Sequence, residues 1–132
     1  MDIVIAEKAM LDSNFGEAYG SKDMILSSSP KLFNMVKESS KGMKNVKIGT
    51  IMSSQWFYQP ARPNAWKQNA KKGALLVENE TGAIYTIAKY FNKDAITLIT
   101  VSESLVTKDS LSPEDRQNSF NQMLSLALET FA

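Results

Sequence analysis

A strand–helix–strand pattern in the second half of the chain most limits what this sequence can fold into. Residues 74–77 form a continuous apolar run, which is typical of a strand covered on both faces. Apolar residues then recur at helical spacing over residues 84–91, and a second apolar run follows at 95–101. With such short connections, the pattern predicts a βαβ unit whose two strands are parallel neighbours joined by a right-handed crossover.

The segments before this unit predict more elements of the same kind. Residues 3–6 and 46–52 are expected to be strands, and residues 12–29 are expected to form a long loop. A helix is expected to begin at Pro30 with Ser29 as its N-cap. A shorter helix over residues 63–72 begins with a proline and is followed by Gly73, a residue suited to a left-handed helix end.

The last helix has the clearest sequence signals at its start. Ser112 is expected to cap it, and Pro113 occupies its first turn. Its broad apolar stripe, expected to face the core, consists of Phe120, Met123, Leu124, Ala127, Leu128 and Phe131. These elements together predict one domain over residues 1–132, an α/β fold of three α/β/α layers around a mostly parallel central sheet.

Composition excludes several classes of protein and of chemistry. Fifteen basic and fourteen acidic residues leave a net charge of +1, which indicates neither a nucleic acid nor an anionic membrane as the main partner. No apolar run approaches the roughly 18 residues of a membrane span, and the acidic start does not suit a signal peptide, so we expect a cytoplasmic protein. Without cysteine or histidine, the chain excludes Ser-His-Asp and Cys-His catalysis and the usual zinc sites.

Acidic side chains follow both strands of the predicted βαβ unit. Glu78 and Glu80 come at the end of the first strand, and Glu103 follows the second. Ligands of open α/β sheets bind outside the carboxyl ends of strands, so parallel strands would bring these carboxylates together. Carboxylates accept hydrogen bonds from vicinal sugar hydroxyls. The alternative is that they are solvated residues at helix N-termini, where acidic residues are favoured.

Two other features are candidates for ligand contact. The aromatic run at residues 56–58 has faces that can stack on a heterocyclic base, and its alternative is core packing at the end of a strand. Arg116 lies in the first turn of the last helix, where a cation opposes the helix dipole. This placement suggests an anionic partner, and the alternative is an ordinary surface arginine.

Four segments, in order, resemble the bacterial, hexamer-forming purine nucleoside phosphorylases. Residues 2–5 (Asp-Ile-Val-Ile) resemble the strand before that family's mid-chain loop, and residues 53–58 resemble its base-side segment ending in Phe-Tyr. Residues 77–80, with Ile-Tyr at 84–85, resemble its Val-Glu-Met-Glu motif and downstream Ile-Tyr. The family's Val-Ser-Asp, Glu-Arg-Gln and Phe-Asn run is matched at residues 100–103, 114–117 and 119–121. The resemblance covers nearly the whole chain and only the C-terminal part of the family.

The resemblance implies a function and a set of site residues. The family cleaves purine nucleosides with phosphate as co-substrate and needs no metal or other cofactor, and its intact members are hexamers. Glu80 would hold the ribose hydroxyls, with Glu78 and Asn79 beside it, and Phe57 would contact base and sugar. Val77 and Ser102 match further nucleoside-binding positions. Glu103 matches the Asp that protonates the purine at N7, and Arg116 matches the Arg that assists this acid.

Three departures from the family pattern imply impaired turnover. The family's phosphate-binding loop lies in an N-terminal segment that has no counterpart in these residues, and the charge on phosphate needs cations. Asn79 stands where the family has Met, and Glu103 is one methylene longer than the family's Asp. The expected function is therefore nucleoside phosphorolysis, weak or absent unless another chain supplies phosphate contacts. The alternative is a non-catalytic nucleoside-binding or oligomeric structural module, and in either case we expect a homo-oligomer.

Overall fold

The computed structural model describes residues 1–118 and 120–132, and these contain five strands, five α-helices and one 3-10 helix. In chain order they are β1 (Ile3–Leu11), the 3-10 helix (Phe15–Tyr19), β2 (Ile25–Ser27), α1 (Pro30–Ser39), β3 (Val46–Ser53), α2 (Ala65–Lys71), β4 (Ala74–Glu78), α3 (Thr81–Tyr90), β5 (Leu98–Thr100), α4 (Pro113–Asn118) and α5 (Asn121–Phe131). None of the helices in the described ranges has the length and apolar character needed to cross a membrane.

The sheet is built around β1, which pairs with three other strands. On one side β1 pairs in parallel with β3 from Ile3 to Leu11, and β3 pairs in parallel with β4. On its other side β1 pairs antiparallel with two short strands, β5 along its first part and β2 along its last part. The three longest strands are therefore parallel, as the sequence predicts, and only the two three-residue strands run the other way.

Helices cover both faces of β1. Because successive side chains of a strand point to opposite faces, β1 contributes to a separate core on each side. One face packs against α3 in a core that contains Val4, Ala6, Ala9, Leu11, Leu26, Ile51 and Tyr85. The other face packs against α1 and α5 through Ile5, Val36 and Leu126. The α/β/α layering and the fold class expected from the sequence are confirmed.

The predicted βαβ unit is wrong in one respect. The strand after α3 is not a parallel neighbour of β4, because β5 pairs antiparallel with β1, with Ile5 opposite Leu98. Strands β1 and β3 therefore lie between β4 and β5. The apolar pattern of residues 95–101 indicates a strand but carries no information about which strand it pairs with. In the structure, β5 pairs with the edge of β1 that its first residues leave free.

Several predicted boundaries also differ from the structure. β1 extends to Leu11 rather than ending at residue 6. Two exposed residues, Glu7 and Lys8, interrupt its buried side chains, and a register irregularity between Ala6 and Lys8 lets the strand continue with buried side chains from Ala9 to Leu11. The segment 12–29 contains the 3-10 helix and β2 as well as loop. The predicted α1 is confirmed, and α2 begins at Ala65 and is followed by Gly73 in the left-handed region, with φ +94°.

The last predicted helix is two helices, α4 and α5; Ser119, which the prediction includes, lies outside the described residues. The face of α5 that packs against the core is not the face that the apolar stripe predicted. Leu126 is the residue buried there, whereas Leu124 and Leu128 are 52% and 65% exposed. The prediction that β4 is covered on both faces is also wrong, because Leu75 and Val77 are exposed.

Candidate functional site

The carboxyl ends of the three parallel strands meet at one end of the sheet. Leu11 of β1 is in register with Ser53 of β3, and Ser53 is in register with Glu78 of β4. The next residues along the three strands, Asp12, Ser54 and Asn79, are therefore neighbours beyond this edge. In an open α/β sheet this is the position where ligands bind.

Glu78 uses both oxygens of its carboxylate inside the protein. Oε2 accepts hydrogen bonds from the backbone N–H groups of Glu80 and Thr81, each at 2.8 Å, and from the Thr81 hydroxyl at 3.0 Å. Oε1 accepts a short hydrogen bond from the Ser53 hydroxyl. The backbone donors belong to the start of α3, whose first N–H groups have no partner within the helix. Glu78 thus caps the start of α3, and both of its oxygens have protein partners rather than the solvent contact that the alternative from the sequence describes.

The start of α3 lies directly against the ends of β1 and β3. The N–H of Gly82 donates to the Ser53 hydroxyl at 2.7 Å. A Cβ at position 82 would lie 2.4 Å from Cδ2 of Leu11 and 3.0 Å from Cβ of Ser53, so any larger residue would force Leu11 or α3 to shift. Ser53 and Gly82 therefore fix the distance between α3 and the sheet at the candidate site.

The loop that follows β3 is held from both sides. On the β1 side, Asp12 accepts hydrogen bonds from the Ser54 hydroxyl at 2.6 Å and from the Gln55 N–H at 2.8 Å. On the β4 side, the Asn79 amide donates to the Ser54 carbonyl oxygen at 2.7 Å, and the Ser54 N–H donates to the Glu78 carbonyl oxygen at 2.8 Å. Ser54 is buried, with 1% of its surface exposed, so these bonds replace the water that its polar groups would otherwise bind.

The aromatic run after this loop is open to solvent. Trp56, Phe57 and Tyr58 are 51%, 77% and 81% exposed. The rings of Phe57 and Tyr58 meet edge to face, with centroids 4.8 Å apart. Core packing, the alternative for this run, is therefore wrong, and the aromatic faces are accessible for stacking on a planar ligand.

Glu80 is an exposed carboxylate of the site. Its Oε2 accepts a hydrogen bond of 3.2 Å from the Asn79 N–H. Because Glu80 immediately precedes α3, its charge also lies near the positive end of that helix dipole. Val77 is 42% exposed at the end of β4 beside these residues. The Val-Glu-Asn-Glu segment thus presents one exposed carboxylate, Glu80, and one that is engaged in capping, Glu78.

Glu103 lies at the other end of β1 from Glu78 and Glu80. The N–H of Val101 donates to the carbonyl oxygen of Asp2, which places residues 101–103 beside the start of β1. The expected convergence of three carboxylates depended on parallel neighbouring strands, and the antiparallel pairing of β5 contradicts it.

Glu103 does contact the arginine that the resemblance pairs with it. Arg116 Nη2 lies 3.5 Å from Glu103 Oε2, and Arg116 Nε donates to the Leu111 carbonyl oxygen at 3.2 Å. The Ser102 carbonyl oxygen accepts a hydrogen bond from the Leu111 N–H at 2.9 Å, which closes this small hairpin. Both charged side chains are about half exposed, so solvent screens their attraction.

Sequence reasoning missed the contributions of Asp12 and Ser54 to the site. Both residues follow strands that the sequence does predict, and the rule that ligands bind at carboxyl ends applies to every parallel strand. The prediction ended the first strand at residue 6, so Asp12 fell inside a presumed loop. Knowledge that β1 continues through its irregularity to Leu11 would have brought Asp12 to the same edge.

Two clefts lie beside the 3-10 helix, and neither contains a residue of the site. The larger, of about 340 Å³, lies between the 3-10 helix and α3, where Asp23 and Lys89 form an ion pair of 2.6 Å. The hydrogen bond from the Lys89 ammonium group, together with its charge, lowers the pKa of the Asp23 carboxyl. The smaller cleft, of about 250 Å³, is lined by residues between 13 and 24, on and around the 3-10 helix.

The chain is similar in sequence to curated bacterial proteins named purine nucleoside phosphorylase DeoD-type. It shares 37% identity over 131 residues with the protein of Alkaliphilus metalliredigens, and 39% over 132 residues with those of a Thermoanaerobacter species and of Mycoplasma genitalium. Each match covers 97% of this chain and 55% of the relative. The chain therefore spans about half the length of the curated relatives it matches. No protein-family model matches it.

Solved structures with the same fold are also purine nucleoside phosphorylases. The Toxoplasma gondii enzyme in complex with immucillin-H superposes with a TM-score of 0.79 at 12% identity. The P. knowlesi homologue of P. falciparum PNP superposes with a TM-score of 0.75 at 17% identity. Each match covers 98% of this chain, and 54% and 52% of the respective structures. At these identities the likeness establishes the fold alone.

Proposed function

We propose that this chain, a purine nucleoside phosphorylase-like protein similar over nearly its whole length to the C-terminal part of the DeoD type, binds a purine nucleoside or free purine base. One observation supports the proposal most strongly. The exposed aromatic run and the exposed carboxylate of Glu80 are connected through the Asn79–Ser54 hydrogen bond at the carboxyl end of the sheet. Exposed aromatic rings and an exposed carboxylate suit a ligand that joins an aromatic base to a sugar.

The proposed ligand places base and sugar on different residues. The base stacks on Phe57, the residue that the family resemblance also assigns to it. The vicinal hydroxyls of the ribose donate hydrogen bonds to Glu80, whose carboxylate faces solvent. Val77 supplies an apolar contact beside them, and Glu78 acts through the helix start that it caps.

Catalysis in the proposed function is phosphorolysis, with phosphate as co-substrate and no metal. The family resemblance assigns protonation of the leaving purine to Glu103, assisted by Arg116 3.5 Å away, with Ser102 in the same hairpin. In this chain the pair does not reach a base that stacks on Phe57, because the two sites lie at opposite ends of β1. This pair lies at the other end of β1 from Glu80, and Glu103 is longer than the Asp of the family. Phosphate also requires cationic contacts, whereas the residues assigned to the nucleoside are carboxylates, an amide and aromatic rings. We therefore expect binding to exceed turnover in the isolated chain.

A thermal-shift titration with inosine, adenosine, their free bases and ribose 1-phosphate tests the proposal. A ligand that binds the native state alone stabilises it by about 2.7 kcal/mol at a hundredfold excess over its dissociation constant. We expect the nucleosides to raise the melting temperature of the wild type and not that of Glu80→Ala. Absence of any shift at millimolar nucleoside would overturn the binding proposal. Phosphate-dependent release of purine, measured in parallel, tests the proposed phosphorolysis.

A second candidate function, an oligomeric structural module, is supported by a different surface. Leu124, Leu128 and Phe131 form an exposed apolar stripe along α5, at spacings of four and three residues. Apolar side chains that line up on one exposed helix face offer a surface that a protein partner can bury. We propose that this stripe pairs with a second copy of the chain, so that the protein is a homo-oligomer.

Sedimentation of Leu128→Lys and Ser125→Lys separates the self-association proposal from simple surface exposure. Both changes place a lysine on an exposed position of α5, and only the first interrupts the apolar stripe. We expect Leu128→Lys to be monomeric and Ser125→Lys to retain the wild-type mass. A monomeric wild type at high micromolar concentration would contradict the proposal.

A further inference from the structure

The loop after β3 is held by a set of side chains whose geometry has a consequence for the neighbouring aromatic run. We call Asp12, Ser54 and Asn79 the loop clamp. Asp12 directly follows β1, Asn79 directly follows β4, and Ser54, which directly follows β3, lies between them. Their side chains continue the hydrogen bonding between the strands for one or two residues after the backbone ladders end.

On the β1 side, the clamp orders three successive residues of the loop. The Trp56 N–H donates to the Ser54 hydroxyl oxygen at 3.1 Å, and that hydroxyl donates to Asp12 at 2.6 Å. The other oxygen of Asp12 accepts the Gln55 N–H at 2.8 Å. Hydrogen bonds to a carboxylate are stronger than those between neutral groups. Asp12 therefore fixes the backbone up to Trp56, the first residue of the aromatic run.

On the β4 side, the side-chain amide of Asn79 supplies the hydrogen-bond donor for the carbonyl oxygen of Ser54. The amide donates at 2.7 Å, as a strand N–H would. The related family has Met at this position, and a thioether has no hydrogen to donate. In this chain the amide thus connects the loop that carries Phe57 to the segment that carries Glu80.

We infer that Asp12 and Asn79 are positioning residues that hold the aromatic run beside Glu80, so that stacking and sugar contacts act on one ligand. This inference assigns Asn79 a role in ordering the loop rather than in touching the sugar, and it depends on the proposed function for its ligand. The three aromatic side chains have little packing of their own, since each is more than half exposed. Their position therefore depends on the backbone that the loop clamp fixes.

Tryptophan fluorescence measures the clamp without any ligand. The chain has two tryptophans, so Trp66→Phe leaves Trp56 as the only one. In that background we expect Asp12→Ala and Asn79→Ala to increase acrylamide quenching of Trp56 and amide exchange at residues 55–58. Asn34→Ala and Asp94→Ala, which change exposed residues outside the loop clamp, serve as controls and should match the parent. Asn79→Asp, with an acceptor in place of the donor, should behave as Asn79→Ala.

Ligand binding then separates positioning from direct contact. The clamp variants should bind both inosine and hypoxanthine about tenfold more weakly, a change of about 1.4 kcal/mol, because stacking on the loop is common to nucleoside and base. Glu80→Ala should weaken inosine and leave hypoxanthine unchanged. Wild-type quenching and exchange in both clamp variants would overturn the inference. Looser loops in the variants, together with a wild type that binds no purine, would support the clamp and reject the proposed function.

Discussion

The hydroxyl group of Tyr85 donates a hydrogen bond of 2.6 Å to the carbonyl oxygen of Ala6. The same hydroxyl accepts a hydrogen bond of 3.0 Å from the Thr97 N–H, and the Ala6 N–H donates to the Thr97 carbonyl oxygen at 3.0 Å. Ala6 precedes the irregularity in β1, and Thr97 precedes β5. One buried side chain of α3 thus joins the helix to two strands at the position where β1 changes register.

We predict that Tyr85→Phe lowers the free energy of unfolding by about 1–3 kcal/mol, because buried hydrogen-bonding groups lose their partner while the ring is retained. Chemical denaturation measures the change. Tyr90→Phe removes a hydroxyl from a residue that is 60% exposed, and we expect it to stay within about 0.5 kcal/mol of wild type. Equal effects of the two changes would show that the Tyr85 hydroxyl contributes nothing specific.

The same hydroxyl gives stability a dependence on alkaline pH. Burial raises the pKa of the Tyr85 phenol, although hydrogen bonding with Thr97 acts in the opposite direction. A raised pKa in the folded state means that the phenol's contribution is complete below the unfolded value of about 10 and is lost as pH rises through the folded value. We predict that the stability difference between wild type and Tyr85→Phe narrows above about pH 10.

Because the lysines also titrate in this range, the prediction concerns that difference rather than the wild type alone. Equilibrium denaturation of both proteins at a series of pH values from neutral to strongly alkaline measures it. A difference that stays constant across the series would mean that Tyr85 has the same pKa folded and unfolded.

The sequence predicts where most strands and helices lie because the existence of an element depends on local pattern. The apolar runs in β3 and β4 and the strong start signals of α1 and α4 identify those elements from neighbouring residues alone. The place of β5 is different: its pairing with β1 depends on which edge is free once β2 and β3 are in position. Periodicity indicates which side chains share a face and gives no information about strand partners.

The helical stripes illustrate the same limit. The apolar residues of α5 recur at helical spacing, yet the buried contact is Leu126 and the exposed positions include Leu128. In α3, similarly, Tyr85 is buried while Ile84 is 44% exposed. When the apolar stripe of a helix is wider than the surface that the helix buries, the sequence does not determine how the helix is rotated about its axis. Packing against the sheet determines that rotation.

The candidate site was partly predictable for a comparable reason. Glu78 and Glu80 follow a predicted strand, so their position at the sheet edge is expected from sequence. Their different roles are not, because capping by Glu78 depends on where α3 begins. The hydrogen bonds of Asp12 with residues 54 and 55 connect segments more than 40 positions apart, and no local pattern reports them.

Glu78 and Glu80 should respond differently to the same substitution. We predict that Glu78→Ala lowers the free energy of unfolding by about 1–2 kcal/mol, because the start of α3 loses its capping acceptor. Glu80→Ala should change stability by less than about 0.5 kcal/mol, since its carboxylate is exposed. Urea denaturation of the two variants provides the comparison. A larger loss from Glu80→Ala than from Glu78→Ala would contradict the assignment of the cap to Glu78.

Gly82→Ala tests packing against helix propensity. Alanine inside a helix is favoured over glycine by about 1 kcal/mol, which alone predicts stabilisation. The new Cβ would lie 2.4 Å from Leu11 Cδ2, and Leu11 is buried with 8% of its surface exposed, so it has little room to move. We therefore predict a net destabilisation of about 1–3 kcal/mol, as is typical when a well-packed site is overfilled.

Gly49→Ala is the matched control for Gly82→Ala. Its Cβ would lie 2.7 Å from Leu75 Cδ1, a comparable overlap, but Leu75 is 53% exposed and its side chain can rotate into solvent. We expect Gly49→Ala to stay within about 0.5 kcal/mol of wild type by thermal or urea denaturation. Stabilisation by Gly82→Ala would mean that α3 can move away from β1. In that case the Gly82–Ser53 hydrogen bond would not fix the spacing at the candidate site.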